Sequence, residues 1–302
     1  MRGRFAPSPT GQLHLGNLRT ALVSWLQARA AGGEWWVRME DLGTVSASRA
    51  HEADQLQSLA ALGMQPDGVV VRQSDRFDLY RDAISTLSSQ GRVYECFCTR
   101  REIRDAVRAP HGDLPDAAYS GTCRTLTADQ RAALVAQGRR PALRLATDGE
   151  RFIVRDLIAG DYSGTSDDVV LQRNDGVPAY NLAVVVDDAA QGISHIARGD
   201  DLLSSTPRQR LLQQLLGLDE PVYAHVPLVL APDGARLAKR HGAVTLDDLA
   251  RSGIGPDRVL SQLAASLGLC AIDDVITTNE LIARFRIDAV PREPWLLGAD
   301  DL

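Results

Sequence analysis

Through the first ninety or so residues, short apolar runs of strand length alternate with amphipathic stretches of helix length, and this rhythm restricts the fold more than any other feature. Residues 1–6, EWWVRM at 34–39, VVV at 69–71 and RVYECF at 92–97 read as strands. A first helix follows a loop stiffened by Pro7 and Pro9; Asn17 is placed to cap it, its apolar face uses Leu18, Ala21, Leu22, Trp25 and Leu26, and Gly32-Gly33 ends it. Helices are expected near 48–62 and 76–90. Strand and helix in this order build a parallel sheet covered by helices, the α/β class.

The rhythm breaks after Cys96. Thr99 with Glu102 and Thr127 with Gln130 have capping-box spacing for two short helices, and short strands follow at PALRLA, RFIV and VVLQR. Residues 94–176 therefore read as an inserted α+β module. AYNLAVVVDD (179–188) and HIARGDD (195–201) resume the α/β pattern, so 1–93 and 177–240 form one discontinuous domain. The last stretch, 241–302, has mostly helical periodicity and reads as a small helical domain.

Composition excludes some classes. A net charge of −6 gives no global attraction to nucleic acid, so an RNA contact would need a local basic surface. No apolar run approaches membrane-spanning length and the start, MRGRFAPSP, has no signal-peptide core, so a cytoplasmic protein, acting as a monomer, is expected. There is no G-x-x-x-x-G-K-[ST] run and no G-x-G-x-x-G after a strand, so a nucleotide would have to be held by another device.

Two segments suggest that device. HLGN (14–17) lies where the Pro-rich loop meets a helix start, where backbone N–H groups favour phosphate and Gly16 permits close approach. Of 33 basic residues all but one are arginine, and the exception is Lys239 in ARLAKRHG (235–242). A compact ammonium on a flexible stem does what a planar guanidinium cannot. Loops after the first and last strands of a parallel sheet can meet above its carboxyl edge. There His14 and Lys239, as two cationic donors, would stabilise charge on a transferring phosphorus.

Together these motifs resemble a known family. RFAPSPTGQLHLGN (4–17) is similar to the first signature of the class I glutamyl-tRNA synthetases, RLAKR (236–240) to their lysine loop, and AYNLAVVVDD and HIARGDD to their middle segments. The resemblance runs from residue 4 to about 250 and implies a Rossmann-like catalytic domain that binds ATP through His14, Gly16, Asn17 and Lys239. It implies a glutamate site of Arg4, Ala6, Ser8, Glu40, Tyr180 and Arg198, in which arginine forks suit the ligand's carboxylates and an acid suits its amine. Two motifs depart from the family pattern. Asn17 replaces the second histidine of the first signature, and in RLAKR, Arg236 and Ala238 replace a lysine and a serine. Valine at 184, where many of these enzymes carry asparagine, implies a differently lined amino-acid pocket.

Cys96, Cys98 and Cys123 form a cluster suited to zinc, which wants four ligands. Tyr119 and His111 are the candidates for the fourth; histidine is the commoner ligand. Three thiols without metal is the plain alternative. The Tyr-x-x-x-Cys pattern resembles that of the glutamyl-Q tRNA(Asp) synthetases, a short paralogous family, and that resemblance implies Tyr119 and a structural zinc. Arg100, Arg101, Arg104, Arg108, Arg124 and Arg139-Arg140 lie beside the cluster and could grip RNA phosphates.

About sixty residues follow Lys239, room for a stem domain but not for a large anticodon-reading region. The paralogous family implies activation of glutamate with ATP, aided by Mg²⁺, and transfer to queuosine in the anticodon loop of tRNA(Asp). A minimal synthetase charging the 3′ end of tRNA, and a non-catalytic zinc-bearing RNA-binding module, are the alternatives. Lys239→Arg is expected nearly to abolish adenylate formation with the fold intact. Pyrophosphate exchange alongside circular dichroism checks this, and near-normal exchange would mean that the lone lysine is a compositional accident.

Overall fold

The computed structural model describes residues 1–43, 47–99, 101–103, 119–235 and 244–298. The chain opens with β1 (Arg2–Phe5), α1 (Leu15–Ala30), β2 (Glu34–Met39), α2 (Arg49–Ala61), β3 (Val71–Arg72), α3 (Phe77–Ser89) and β4 (Val93–Cys96). Next come α4 (Ala128–Ala136), β5 (Ala142–Leu145), β6 (Arg151–Asp156), β7 (Gly160–Thr165) and β8 (Val170–Gln172). The α/β pattern returns with α5 (Tyr180–Ala190), β9 (His195–Gly199), α6 (Thr206–Leu216), β10 (Val222–Val226) and β11 (Val229–Leu230). Helices α7 (Leu246–Arg251), α8 (Pro256–Ala265) and α9 (Thr278–Arg284) precede a short strand, β12 (Trp295–Leu296).

Local chemistry explains the helix ends. Ser48 caps α2 by accepting from the His51 amide, and Thr127 and Gln130 close a reciprocal capping box on α4. Gly217, at φ 65°, supplies the left-handed residue that stops α6. The cap of α1 differs from expectation. His14 holds that position and Asn17 lies inside the first turn, its side-chain oxygen accepting from the His14 amide.

The main sheet has the order β3-β2-β1-β9-β10-β6-β7. Neighbouring strands run parallel from β3 to β6, and only the edge strand β7 is antiparallel. The first crossovers run from β1 away through β2 and β3, whereas β9 continues the other way into β10. The order therefore reverses between β1 and β9, and such a switch point leaves a crevice at the strands' carboxyl ends. Strands β6 and β7, from the segment read as an insertion, extend this sheet, while β4, β5 and β8 make a separate antiparallel sheet. The C-terminal helices share a continuous core with α1, where Leu18 and Leu22 pack in one cluster with Leu260, Leu263 and Leu281.

A buried charge network crosses beneath the switch point. Asp187 accepts from Tyr80 Oη (2.8 Å), Gln73 Nε2 (2.9 Å) and Arg76 Nε (2.6 Å), with Arg38 Nε at 3.6 Å. Asp188 takes Arg38 Nη2 at 2.8 Å and Arg4 Nε at 3.2 Å. Burial opposes ionisation of Asp188, but Arg38 and Arg4 outweigh it and hold its pKa below the usual carboxylate value. Removing one member of such a buried group strands its partners' charge, at a cost of roughly 3–5 kcal/mol. Asp187→Ala is therefore expected to lose about that much unfolding free energy in urea denaturation; a loss below about 1 kcal/mol would contradict the assignment.

Candidate functional site

The loop after β1 folds across the carboxyl end of β2. The Glu40 amide donates to Pro7 O at 2.9 Å, and Gln55 Nε2 reaches Ser8 O at 2.9 Å from α2. These bonds place Ser8 and Glu40 side by side, with Ala6 at the loop's start. Burial pushes the Glu40 carboxyl up to about 7, against the opposing pull of Arg38 and Arg4, while Asp188 and Asp187 push with it.

Tyr180 begins α5 and feels the Glu40 carboxylate and the charges of Arg198 and Arg4, so four of the sequence-predicted residues share one neighbourhood. The two arginines differ in kind. Arg4 is charge-balanced from within by Asp188. Arg198, near the end of β9 and only 4% exposed, donates to His225 Nε2 (3.0 Å), Gln209 Oε1 (2.7 Å) and Thr206 Oγ1 (2.9 Å). All three acceptors are neutral or aromatic side chains. Among the described residues no carboxylate stands in ion-pair contact with Arg198, and two of its five N–H groups are left over. A buried guanidinium without a counter-charge is costly, and a ligand carboxylate offsets that cost.

The HLGN turn is built by its own hydrogen bonds. His14 Nδ1 accepts from the Gly16 amide at 3.1 Å, and burial lowers the His14 pKa. The ring is thus neutral with its proton on Nε2. This corrects the expectation of two cationic donors, because at position 14 the donor is an uncharged N–H. A Cβ at Gly16 would stand 3.0 Å from His14 Cε1, a tight contact that would push on the imidazole. Lys239, with Arg236, Ala238 and Arg240, lies outside the described residues. The chain next described pairs with this turn, Val244 O accepting from the Leu15 amide at 3.0 Å and Thr245 bridging His14.

A third group of donors gathers beyond β4. The sulfur atoms of Cys96, Cys98 and Cys123 lie within 4.8 Å of one another. Tyr119 Oη sits 3.3 Å from Cys96 Sγ and 3.5 Å from Cys98 Sγ, and accepts from the Cys123 amide at 2.9 Å. Its ring lies under the Arg144 guanidinium, 3.8 Å from the ring centroid, which fixes the phenol's direction. Three thiols and one phenol converging on a point are a donor set that fits tetrahedral zinc. His111 lies outside the described residues, as do Arg100, Arg104 and Arg108.

A cavity of about 1000 Å³ joins the two regions, with Ser8, Glu40 and Tyr180 on one wall and Cys98, Arg139, Arg140 and Arg173 on the other. Sequence reasoning missed the residues that orient this site. Asp187 and Asp188 stand in a quoted motif, yet Arg38, Gln209 and His225 gave no local signal. Val184 is buried one turn from both Tyr180 and Asp188 on the same face of α5.

The family model for class I tRNA synthetases (E and Q), catalytic domain, matches residues 1–302. A glutamyl-Q tRNA(Asp) synthetase of Nocardia farcinica is 55% identical over 300 residues, covering 99% of this chain and 94% of that protein. A glutamate–tRNA ligase of Carboxydothermus hydrogenoformans is 38% identical, with 100% of this chain and 66% of that protein covered. Among solved structures, a glutamate tRNA ligase from Elizabethkingia meningosepticum in complex with its amino acid superposes with a TM-score of 0.85 at 29% identity, over 100% of this chain and 68% of that one.

Because the folded chain holds Glu40's proton up to about 7 while the unfolded chain releases it near 4.5, stability from this group falls as pH rises through that window. Glu40→Gln removes the dependence. The variant's urea midpoint is expected to gain on the parent's between about pH 5 and about pH 8, and a constant gap would contradict the buried-acid assignment.

Proposed function

Because the chain belongs to the class I tRNA synthetase (E and Q) catalytic-domain family, and is thereby an ATP-dependent aminoacyl ligase, we propose that it activates glutamate and transfers it to queuosine in the anticodon loop of tRNA(Asp). The observation that carries the glutamate half is Arg198, a buried cation whose protein partners carry no formal charge. A ligand with two carboxylates and one ammonium matches Arg198, Arg4 and an ionised Glu40, with Tyr180, Ala6 and Ser8 completing the pocket. Support for the acceptor comes from the 55% identity to the Nocardia protein over nearly both full lengths, against 38% for the glutamate–tRNA ligase.

In the first step the glutamate carboxylate attacks the α-phosphorus of ATP in line, a P–O bond forms, and the bond to the leaving pyrophosphate breaks. His14 Nε2–H donates to phosphate oxygens at the amino end of α1, where Gly16 and Asn17 flank it and the helix dipole favours negative charge. Lys239 precedes Val244 by five residues in the sequence, and in this reading its ammonium neutralises charge on the departing phosphates, with Mg²⁺ arriving with ATP. In the second step a hydroxyl of the RNA attacks the activated carbonyl and AMP leaves. Cys96, Cys98, Tyr119 and Cys123 would hold a structural zinc, which stiffens the cavity's far wall and leaves no coordination site open for chemistry. The segment 94–176 would be the acceptor-binding module, with Arg139 and Arg140 on its cavity-facing side.

Glutamate labelling of tRNA(Asp) with and without queuosine, and of tRNA(Glu), tests this reading. Labelling only of queuosine-bearing tRNA(Asp), together with pyrophosphate exchange that needs no RNA, is expected. Equal labelling of both tRNA(Asp) forms, or charging of tRNA(Glu) at its 3′ end, would overturn the acceptor assignment.

A further inference from the structure

Behind Arg198 lies a buried pair that the proposed chemistry does not use. Asp156, at the end of β6, and His225, on β10, are both fully enclosed, and Asp156 Oδ2 meets His225 Nδ1 at 2.5 Å. The carboxylate is saturated. Its Oδ1 takes the amides of Ile158 (2.9 Å), Ala159 (2.8 Å) and His225 (3.0 Å). On the other side of the ring, His225 Nε2 receives Arg198 Nε at 3.0 Å, with Thr206 Oγ1 at 3.4 Å. Tyr223 stacks near the imidazole, centroids 6.0 Å apart at 15°.

We propose that His225, held by Asp156, is a positioning residue that orients the Arg198 guanidinium toward the substrate carboxylate; this rests on the carboxylate reading of Arg198 given above. The partners dictate the ring's state. An ionised carboxylate can only accept, so Nδ1 carries the proton, and a guanidinium can only donate, so Nε2 presents its lone pair. His225 is the neutral Nδ1–H tautomer, a fixed acceptor set between an acid and a cation. With Gln209 and Thr206 holding the two outer nitrogens, three bonds remove the rotation of Arg198 about its long side chain. An arginine that would otherwise sample many rotamers is frozen before glutamate arrives, and binding is spared that ordering cost. The relay also runs between layers of sequence: Asp156 reaches the site from the strand that extends the main sheet at its β10 edge.

Pyrophosphate exchange with the full chain tests this, using His225→Asn, His225→Gln and Arg198→Lys. Asparagine can keep a donor toward Asp156 but places no acceptor at the Nε2 position, whereas the glutamine carbonyl reaches it. His225→Asn is expected to raise KM for glutamate at least about tenfold with KM for ATP within about twofold, and His225→Gln to recover most of that loss. Parallel loss for both substrates in both variants, tracking a lowered melting temperature, would mean a structural role only and overturn the proposal. Arg198→Lys separates the two readings. If it leaves KM for glutamate unchanged, the carboxylate reading itself fails; if it raises KM while a folded His225→Asn does not, the positioning role alone fails. Should His225→Asn not fold, nitrogen-15 spectra of the parent's imidazole decide: the neutral Nδ1–H form is expected, and an imidazolium or Nε2–H form overturns the proposal.

Discussion

Two adjacent carboxylates, Asp187 and Asp188, tie helix α5 to the sheet beneath it, and the geometry of the site follows from that tie. Neighbours on a helix point about 100° apart, so the pair spreads its contacts. Asp187 gathers Gln73, Arg76 and Tyr80 from the segment around α3, while Asp188 gathers Arg4 from β1 and Arg38 from β2. Both are buried, so the bonds are short of water and their directions are enforced. The carboxyl end of α5 is thereby pinned, and its amino end delivers Tyr180 beside Glu40. Asn181 extends the same control by accepting from Gln209 at 3.0 Å, the residue that holds Arg198.

Against that background the contrast between two buried arginines becomes informative. Arg4 has its counter-ion built in; Arg198 does not. A protein loses several kcal/mol by burying an uncompensated charge, so keeping one where only neutral acceptors surround it is a deficit that an anionic ligand can offset. On the proposed reading this deficit is also the source of selectivity. With the ligand's side-chain carboxylate at Arg198, glutamine, which has nearly the same shape but a neutral amide there, would leave the guanidinium as unbalanced as before. Glu40, raised to about 7, is the complementary device, an acid readily ionised by an arriving ammonium.

The α/β order, the helices near 48–62 and 76–90 and the capping box at Thr127 were legible because each depends on neighbours a few residues away. The cap of α1 was misread by three positions, since Asn17 is a standard cap residue and a histidine accepting through Nδ1 is not. GDYSGT could not be read as a strand: as the antiparallel edge β7 it has no apolar run, and its place is set by pairing with β6. Partners far apart in the sequence, such as Arg38 with Asp188 150 residues on and Asp156 with His225 69 residues on, leave no periodic trace at all. The site residues themselves came from motif resemblance, whereas their electrostatic differences, one arginine neutralised and one not, required the fold.

A crystal structure of the protein with glutamate bound tests the central claim most directly. The account predicts one ligand carboxylate within about 3 Å of Arg198 and the ligand's ammonium against Glu40. A glutamate seated elsewhere, with Arg198 still holding only Thr206, Gln209 and His225, would contradict it.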